Sequence, residues 1–332
     1  MKTACFYLTE QGRKTAEKIC AVTGGVLYGK DNFRDKVREC FDSHEVLVFV
    51  MAAGIVIRTI APLIKSKTTD PAVILVSQDG RYVISLLSGH LGGANEETGR
   101  IAELIGAQAV ITTATDVQNV VSFDVFAKKN NLAIENIDNL KYISSSLLDG
   151  NSIDLISDIR ITGVPEYINV SGKSENEYAV CISDRITDDA FHKKVLYLRP
   201  KDIVIGIGCK RNIPSDYLDS CFQNFLETNR LSLHSVRYVS TIELKKNEPA
   251  LLELCRKYGL ELRIADLKDI EKHASGFEQS EFVMKVTGVP SVAEGSAFVI
   301  SEQGEKIKGK TKFSGVTMAA YRISLPDLEM ES

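Results

Sequence analysis

The chain has 332 residues, 44% of them apolar and 25% charged, with a formal net charge of −4. That length exceeds one ordinary core and predicts two or three domains. The composition excludes a fibre or a disordered chain, and the charge argues against a nucleic acid as partner, leaving room only for a small polyanion at a local basic patch.

The opening stretch, Met1–Leu8, has no long apolar region of the signal-peptide kind. The longest apolar run, Val46–Ile57, stops at Arg58. It falls short of the ~20 residues a membrane helix needs, so it reads as a buried strand and turn and no membrane partner is expected. Seven cysteines, at positions 5, 20, 40, 181, 209, 221 and 255, are scattered and form no C-x-x-C pair. This pattern speaks against a disulfide framework or a zinc site and for reduced thiols in the cytoplasm.

Along residues 1–130, strand-like and helix-like segments alternate. Thr3–Leu8 is β-prone, Gln11–Thr23 carries Ala16, Ile19 and Cys20 at helical spacing, and Gly25–Tyr28 is a short strand. A helix over Asn32–Phe41 follows, then apolar strands at Glu45–Met51 and Ala72–Val76. Tyr82–Leu87 leads into the Gly-rich stretch Ser88–Asn95, a helix over 96–106 and a strand at Gln108–Thr113. This order predicts an α/β domain with a mainly parallel sheet.

Residues 131–200 look irregular, broken by Asn130, Asn131, Asn136, Asn139 and the Ser144–Ser146 run. They predict a small, partly antiparallel middle domain. The α/β rhythm returns over 201–332. There are strands at Asp202–Ile207, Val236–Ser240 and Glu261–Ala265, helices from Pro214 and over Glu248–Tyr258, and terminal strands within Ile307–Ile323. The fold class is therefore α/β, two α/β domains with mainly parallel sheets joined by a small irregular middle domain.

The stretch Ser88-Gly89-His90-Leu91-Gly92-Gly93-Ala94-Asn95 is the densest functional signal. Its glycines let a backbone approach a ligand closely, at a helix N-terminus with exposed N–H groups. Glu96 and Glu97 in the first turn would repel an anion, so it reads as a ligand-approach loop, not a phosphate cradle. The plain alternative is a tight strand-to-helix turn. His90 is its one side chain that titrates near neutral pH.

Other strand ends add candidates. Met51–Arg58 places Gly54 and then Arg58 after a buried strand, where open α/β sheets bind ligands. Arg58 is either a carboxylate partner or a solvated surface charge. Thr112, Thr113 and Asp116 follow another strand and would line the same rim, although Asp116 equally suits a turn cap. In the C-terminal part, Gly206, Gly208, Cys209, Lys210 and Arg211 close one strand, Ser240, Thr241 and Glu243 the next, and Gly288–Glu294 leads into a helix. Three such clusters in one domain point to a site. Cys209 beside Lys210 and Arg211 is either an activated thiol or an ordinary buried one. Lys306, Lys308, Lys310 and Lys312 alternate and would share one face of a strand. They read as edge protection or as a cationic wall for a polycarboxylate. Neither a G-x-S-x-G elbow nor an H-E-x-x-H motif is present, and the five histidines show no metal spacing.

Taken together and in order, MAAGIVIR (51–58), the Asp79-Gly80 pair, SGHLGGAN (88–95), TTATD (112–116), LRP-x-DIVIGIGCKR (198–211), STIELK (240–245) and GVPSVAE (288–294) resemble the cobalt-precorrin-5A hydrolases, the cobalamin biosynthesis protein G family of the anaerobic pathway. The resemblance spans essentially the whole chain. From about residue 201 on, the chain also resembles a stand-alone protein of the aerobic pathway. The family implies a lactone opening by water on a contracted tetrapyrrole, with a two-carbon unit leaving as acetaldehyde. Cobalt travels with the corrinoid substrate, so no protein metal site or other cofactor is implied.

Such chemistry needs a base, donors for an oxyanion and an acid–base group for C–C cleavage. Residue chemistry, not the family, nominates His90 as base, with Glu243 and Glu294 as further catalytic groups. The N–H groups around Gly92 and Gly93 are the candidate oxyanion donors. Gly54, Arg58, Ser88, Gly89, Asn95, Thr113, Gly208, Lys210, Arg211, Ser240 and Thr241 are candidate substrate contacts. A non-catalytic tetrapyrrole carrier and a nucleotide-binding regulator are the competing readings, and oligomer formation is open. The absence of a P-loop or a clean dinucleotide fingerprint counts against the regulator.

Overall fold

The computed structural model describes residues 1–66, 69–113, 118, 120–170, 176–187 and 191–330. The chain divides into two compact units, Met1–Lys128 and a second that begins at Lys129.

The first unit holds a six-stranded sheet in the order β2-β1-β3-β4-β5-β6: β1 (Thr3–Tyr7), β2 (Val26–Tyr28), β3 (Val46–Val50), β4 (Ala72–Val76), β5 (Tyr82–Leu87) and β6 (Gln108–Val110). Strands β1–β4 are parallel to one another. Strand β5 is antiparallel to β4, and β6 follows β5. Helices α1 (Glu10–Thr23) and α4 (Ala94–Ile105) bury Ala16, Ile19, Ile101 and Ala102 on one face. Helices α2 (Phe33–Phe41) and α3 (Ala53–Ile60) bury Val37, Phe41, Val56 and Ile60 on the other. The last helix here, α5 (Phe123–Lys129), carries Phe123, Asp124, Phe126 and Ala127 inward.

The run Val46–Ile57 is not strand and turn throughout. Every residue of Val46–Val50 is buried, as in a central strand, but from Ala53 to Ile60 only Val56 and Ile60 are. That spacing of four is helical, so the run changes period in its middle.

The second unit holds two sheets. One, in the order β10-β8-β11-β12-β7, is built from β7 (Leu132–Ile134), β8 (Ile153–Ser157), β10 (Ile168–Asn169), β11 (Tyr178–Ile182) and β12 (Lys194–Pro200). It is parallel except for the β12–β7 pair, and α6 (Leu140–Leu148) packs on it. The asparagines that break up the sequence here brace the sheet. Asn136 and Asn139 both donate to Val195 O at 2.8 Å, and Asn136 Oδ1 accepts from Tyr197 N–H at 2.9 Å. A short β9 (Ile161–Thr162) pairs with the C-terminal β18 (Leu328–Glu329).

The other sheet has the order β15-β14-β13-β17-β16, with β13 (Ile203–Cys209), β14 (Val236–Ile242), β15 (Glu261–Ala265), β16 (Glu305–Phe313) and β17 (Val316–Arg322). Strands β13, β14 and β15 are parallel, and β17 and β16 return antiparallel. Helices α7 (Ser215–Thr228) and α8 (Pro249–Tyr258) cover one face with Phe222, Phe225, Leu251 and Leu254. After α9 (Leu267–Lys272) and α10 (Glu281–Thr287), α11 (Val292–Ile300) covers the other face through Ala293 and Ala297. A Cβ on Gly206 would stand 1.9 Å from Ala293 O, so only glycine lets α11 lie this close to β13.

Candidate functional site

The loop after β5 is sewn onto the start of α4. Ser88 O accepts from Ala94 N–H at 3.1 Å, Gly89 O from Asn95 N–H at 3.0 Å, and His90 O from Gly93 N–H at 2.9 Å. Ser88 (φ 58°) and Gly93 (φ 82°) take the left-handed conformation that this reversal requires. A Cβ on Gly92 would lie 2.3 Å from Ser88 Cβ, and one on Gly89 would lie 2.7 Å from Asn95 Oδ1. The loop's own folding therefore already requires these glycines, as the tight strand-to-helix turn does. Gly93 loses its place as an oxyanion donor, because its N–H is already given to His90 O.

Asn95 is the strut of this arrangement. Buried, it accepts from Ser85 Oγ at 2.6 Å and donates to Thr113 Oγ1 at 3.0 Å, tying the loop to β5 and to the chain after β6. Glu97 is buried too, but Arg100 pairs with it at 2.6 Å.

With its backbone fixed, His90 is aimed at α5. Its Nδ1 lies 2.9 Å from Ser122 Oγ and 3.4 Å from Asp124 Oδ1. Ser122 Oγ in turn donates to Asp124 Oδ1 at 2.6 Å, and Val125 N–H adds a bond at 3.0 Å. Burial pushes the Asp124 carboxyl up. The bonds from His90 and Ser122, the His90 charge and Val125 N–H outweigh it and hold the group below the usual carboxylate range. Lys128 donates to Leu91 O at 3.0 Å and fastens the far side of the loop.

The hydrogen bonds assign a tautomer. The one Ser122 proton goes to Asp124, so Nδ1 must supply the proton between itself and these two oxygens. In the neutral ring Nε2 then carries the lone pair of a general base. Sequence reasoning passed over Ser122 and Asp124. The available signal was an acid within the apolar helix Phe123-Asp124-Val125-Phe126-Ala127, where a buried carboxylate needs a partner.

Gly54 and Arg58 belong elsewhere in this unit. Val50, the last residue of β3, pairs with Val76, and Val76 with Val83 near the start of β5. Leu87, which ends β5, pairs with Val73 near the start of β4. The 51–54 turn and the 88–95 loop therefore leave opposite edges of the sheet, contrary to the expectation of a shared rim. Thr113 does share the edge of the loop. Arg58 is exposed and donates to Gly54 O at 3.0 Å within α3. Asp116 lies outside the described residues.

In the second unit, β13, β14 and β15 end on one edge, and Val292 at the start of α11 meets Gly208 there. This brings the three predicted clusters together. Their members divide by exposure. Lys210 and Arg211 are exposed, whereas Gly208 is buried against Thr317 and Val292. Ser240 Oγ donates to Ser296 Oγ at 3.1 Å and Thr241 Oγ1 to Ile207 O at 2.8 Å, both in the interior. These three are explained by packing. Cys209 is not an activated thiol, since burial pushes it up to about 11 despite Lys245 nearby. Glu243 is exposed and paired with Lys246 at 2.5 Å. Glu294 is buried, accepts from Glu278 N–H at 2.8 Å and lies 3.4 Å from Lys306 Nζ. Among the described residues no group of three or more His, Cys, Asp or Glu is placed to hold a metal ion. No helix of the described residues is long and apolar enough to cross a membrane.

Comparison with known proteins finds three family profiles in chain order. They are "Cobalamin synthesis G N-terminal" at residues 35–116, "Cobalamin biosynthesis central region" at 121–200 and "Cobalamin synthesis G C-terminus" at 203–321. The chain is 30% identical to the cobalt-precorrin-5A hydrolase of Salmonella typhimurium, covering 95% of this chain and 96% of the relative. It is 32% identical to the protein of that name from Priestia megaterium, covering 95% and 86%. Among solved structures, a putative cobalamin biosynthesis protein G homolog from Sulfolobus solfataricus matches with 21% identity over 97% of both chains and a TM-score of 0.42.

Proposed function

The chain belongs to the cobalamin synthesis G family, and we propose that it is a hydrolase of cobalamin biosynthesis that opens the δ-lactone of cobalt-precorrin-5A with water. In this reading acetaldehyde leaves and cobalt-precorrin-5B is formed. The relatives' names support the substrate. The observation that carries the chemistry is the His90–Ser122–Asp124 chain.

His90 Nε2 takes a proton from water as its oxygen attacks the lactone carbonyl, and Asp124 stabilises the imidazolium that forms. Of the two glycine N–H groups nominated for the oxyanion, that of Gly92 is the one not given to His90 O. Collapse breaks the ring C–O bond, and the imidazolium returns its proton to the leaving alkoxide. The same imidazole then deprotonates that hydroxyl. The carbon–macrocycle bond breaks, its electron pair enters the macrocycle, and the two-carbon unit departs as acetaldehyde. The macrocycle carbon takes up a proton, so one water is consumed overall. Glu243 and Glu294 remain alternative acid–base groups, but neither has an orienting chain like that of His90.

The substrate is an anionic, polycarboxylate ring. Lys210 and Arg211 are exposed cations of the kind that pairs with peripheral acetates and propionates, whereas Arg58, at the sheet edge opposite His90, is dropped as a substrate contact. Cobalt enters as part of the substrate, so no cofactor of the protein is invoked. A cytoplasmic setting fits the reduced-thiol reading of the seven cysteines. The test is incubation with cobalt-precorrin-5A while acetaldehyde is followed through NADH oxidation by alcohol dehydrogenase. Stoichiometric acetaldehyde is expected. Tight binding of the corrinoid without acetaldehyde would instead make the protein a carrier.

A further inference from the structure

The alternating lysines of β16 do not share a single face. The pairing with β17 slips on both sides of Lys308, so strict alternation is lost there. Lys306, Lys310 and Lys312 turn toward two carboxylates at the α11 side of the sheet. Lys306 Nζ is 3.4 Å from Glu294 Oε1, Lys312 pairs closely with Glu278, and Lys310 Nζ is 3.9 Å from that same Glu278 oxygen. Glu278 N–H donates to Glu294 Oε2 at 2.8 Å, which joins the two acids into one cluster.

The charges in this cluster do not balance. Three ammonium groups face two carboxylates, and both carboxylates have a nearer partner than Lys310. The Lys310 side chain is only 4% exposed, whereas those of Lys306 and Lys312 are 45% and 64% exposed. Buried cations are ordinarily paired and hydrogen-bonded. Among the described residues the one carboxylate near Lys310 is that of Glu278, at 3.9 Å and already held more closely by Lys312.

The position is one that open α/β sheets use for ligands. Lys312 pairs with Thr317 and Thr317 with Gly208, and Thr311 pairs with Met318 and Met318 with Ile207, so the Lys310–Lys312 stretch stands at the carboxyl end of β13, whereas Lys306, level with Tyr321 and Val204, reaches Glu294 in the first turn of α11 only through its side chain. The start of α11 meets the same end through Val292.

We propose that Lys310, assisted by Lys306 and Lys312, receives a peripheral carboxylate of a polycarboxylate tetrapyrrole at the carboxyl end of β13. The inference rests on the substrate class proposed above, but its test does not need turnover. The probe is uroporphyrin I, an octacarboxylate tetrapyrrole without cobalt or lactone, titrated into the full chain and followed by its Soret absorbance. Lys310→Met keeps the buried stem and removes the charge. It is expected to weaken binding about tenfold, the order of one charge-assisted hydrogen bond. Lys308→Met, on the same strand but out of step, is expected to stay within about twofold, the range for a rim charge. Failure of the wild type to bind, unchanged binding by Lys310→Met, or an equal loss in Lys308→Met overturns the proposal. If Lys310→Met melts far below wild type, Lys310→Arg decides: retained binding supports the site, and lost binding at an intact fold overturns it. Citrate distinguishes a small free polycarboxylate from the ring, and displacement at an affinity equal to uroporphyrin's overturns the tetrapyrrole assignment. Loss of porphyrin in Lys310→Met without any acetaldehyde from the wild type refutes the hydrolase and leaves this site standing. Normal acetaldehyde release with unchanged porphyrin binding does the reverse.

Discussion

Ser122 Oγ donates its only proton to Asp124 at 2.6 Å, so toward His90 it acts as an acceptor. The imidazole is thereby held in one tautomer by two oxygens of a single helix start. His90→Ala should lower kcat for acetaldehyde release by about 10²–10⁴, the usual worth of a positioned base. Asp124→Asn keeps the shape but supplies an amide where Nδ1–H needs an acceptor, and should cost on the order of 10² in kcat. KM should change little in both, because neither residue is assigned to binding. Steady-state kinetics at saturating substrate decide this, and a His90→Ala enzyme with full activity removes the assignment.

The same carboxylate carries a pH signature. The Asp124 value is held below its ordinary one, with burial opposed by the His90 and Ser122 bonds. Its contribution to stability is therefore present above the unfolded value, about 3.9. That contribution is lost as pH falls through the lower folded value. Wild type should lose stability on acidification below about pH 4, and Asp124→Asn should lose less over that window. Chemical denaturation of the full chain at pH 3, 4 and 6 measures it, and parallel curves for the two proteins would contradict the linkage.

Two glycines separate folding from ligand approach. A Cβ at Gly92 meets Ser88 Cβ at 2.3 Å and Ser88 O at 2.7 Å, where the backbone has to move. Gly92→Ala should destabilise by about 1–3 kcal/mol, as overpacking does. A Cβ at Gly54 meets only the flexible end of Arg58, at 3.2 Å. Gly54→Ala should be neutral or stabilising by roughly 0.5 kcal/mol through helix propensity. Thermal unfolding of the two variants tests the contrast, and a destabilised Gly54→Ala would show that α3 is more constrained than its exposure indicates.

The sequence made the element order legible because buried strands and amphipathic helices have different periods, and Val46–Val50 and Gln11–Thr23 show theirs plainly. The direction of β5 was harder. It depends on a short turn in which Ser77 N–H donates to Tyr82 O at 3.0 Å and Gly80 takes φ 72°. Asp79-Gly80 between two apolar strands is a hairpin signal, and reading it as one places His90 and Gly54 on opposite edges. The loop 88–95 was found by composition, but the reason for its glycines was not, since a clash with Ser88 or Asn95 exists only after folding. Asp124 was invisible for a related cause: its role depends on a contact between distant parts of the chain. Burial of Ser240 and Thr241 likewise follows from where α11 lands on β13 and β14.

Cys209 offers a direct chemical check. Burial raises its thiol to about 11, so little thiolate exists at neutral pH. Alkylation by iodoacetamide at pH 7.5 should be slow at this position compared with a free thiol of ordinary pKa near 8.5. Cys209→Ala should retain acetaldehyde release within about twofold, since surroundings of a small buried thiol relax at modest cost. Peptide mapping after a timed pulse locates the label, and rapid modification at Cys209 with loss of activity would reinstate it as a nucleophile.

Asp202 and Asp184 give the sharpest stability test. Arg322, at the end of β17, donates to Asp184 Oδ2 through Nε at 3.0 Å and Nη2 at 2.6 Å, and its Nε is 3.5 Å from Asp202 Oδ2. Burial, followed by the neighbouring Asp184 charge, pushes Asp202 up to about 7, and Arg322 only partly opposes this. One oxygen of each acid is buried with no hydrogen-bond partner among the described residues. A folded value above the unfolded one means that folding favours the protonated acid. Stability from this group is then greatest below about pH 4 and falls as pH rises toward 7, by roughly 2–4 kcal/mol in all. Asp202→Asn cannot ionise, so between pH 5 and 8 its unfolding temperature should decline less than that of wild type. At pH 8 it should match or exceed wild type. Asp184→Asn behaves differently because it weakens two charge-assisted bonds to Arg322, and it should cost about 1.5–3 kcal/mol at both pH values. Differential scanning calorimetry of the three proteins at pH 5 and 8 separates the two acids. An Asp202→Asn protein that is less stable than wild type at pH 8 would mean that the Arg322 attraction, not burial, governs this carboxyl.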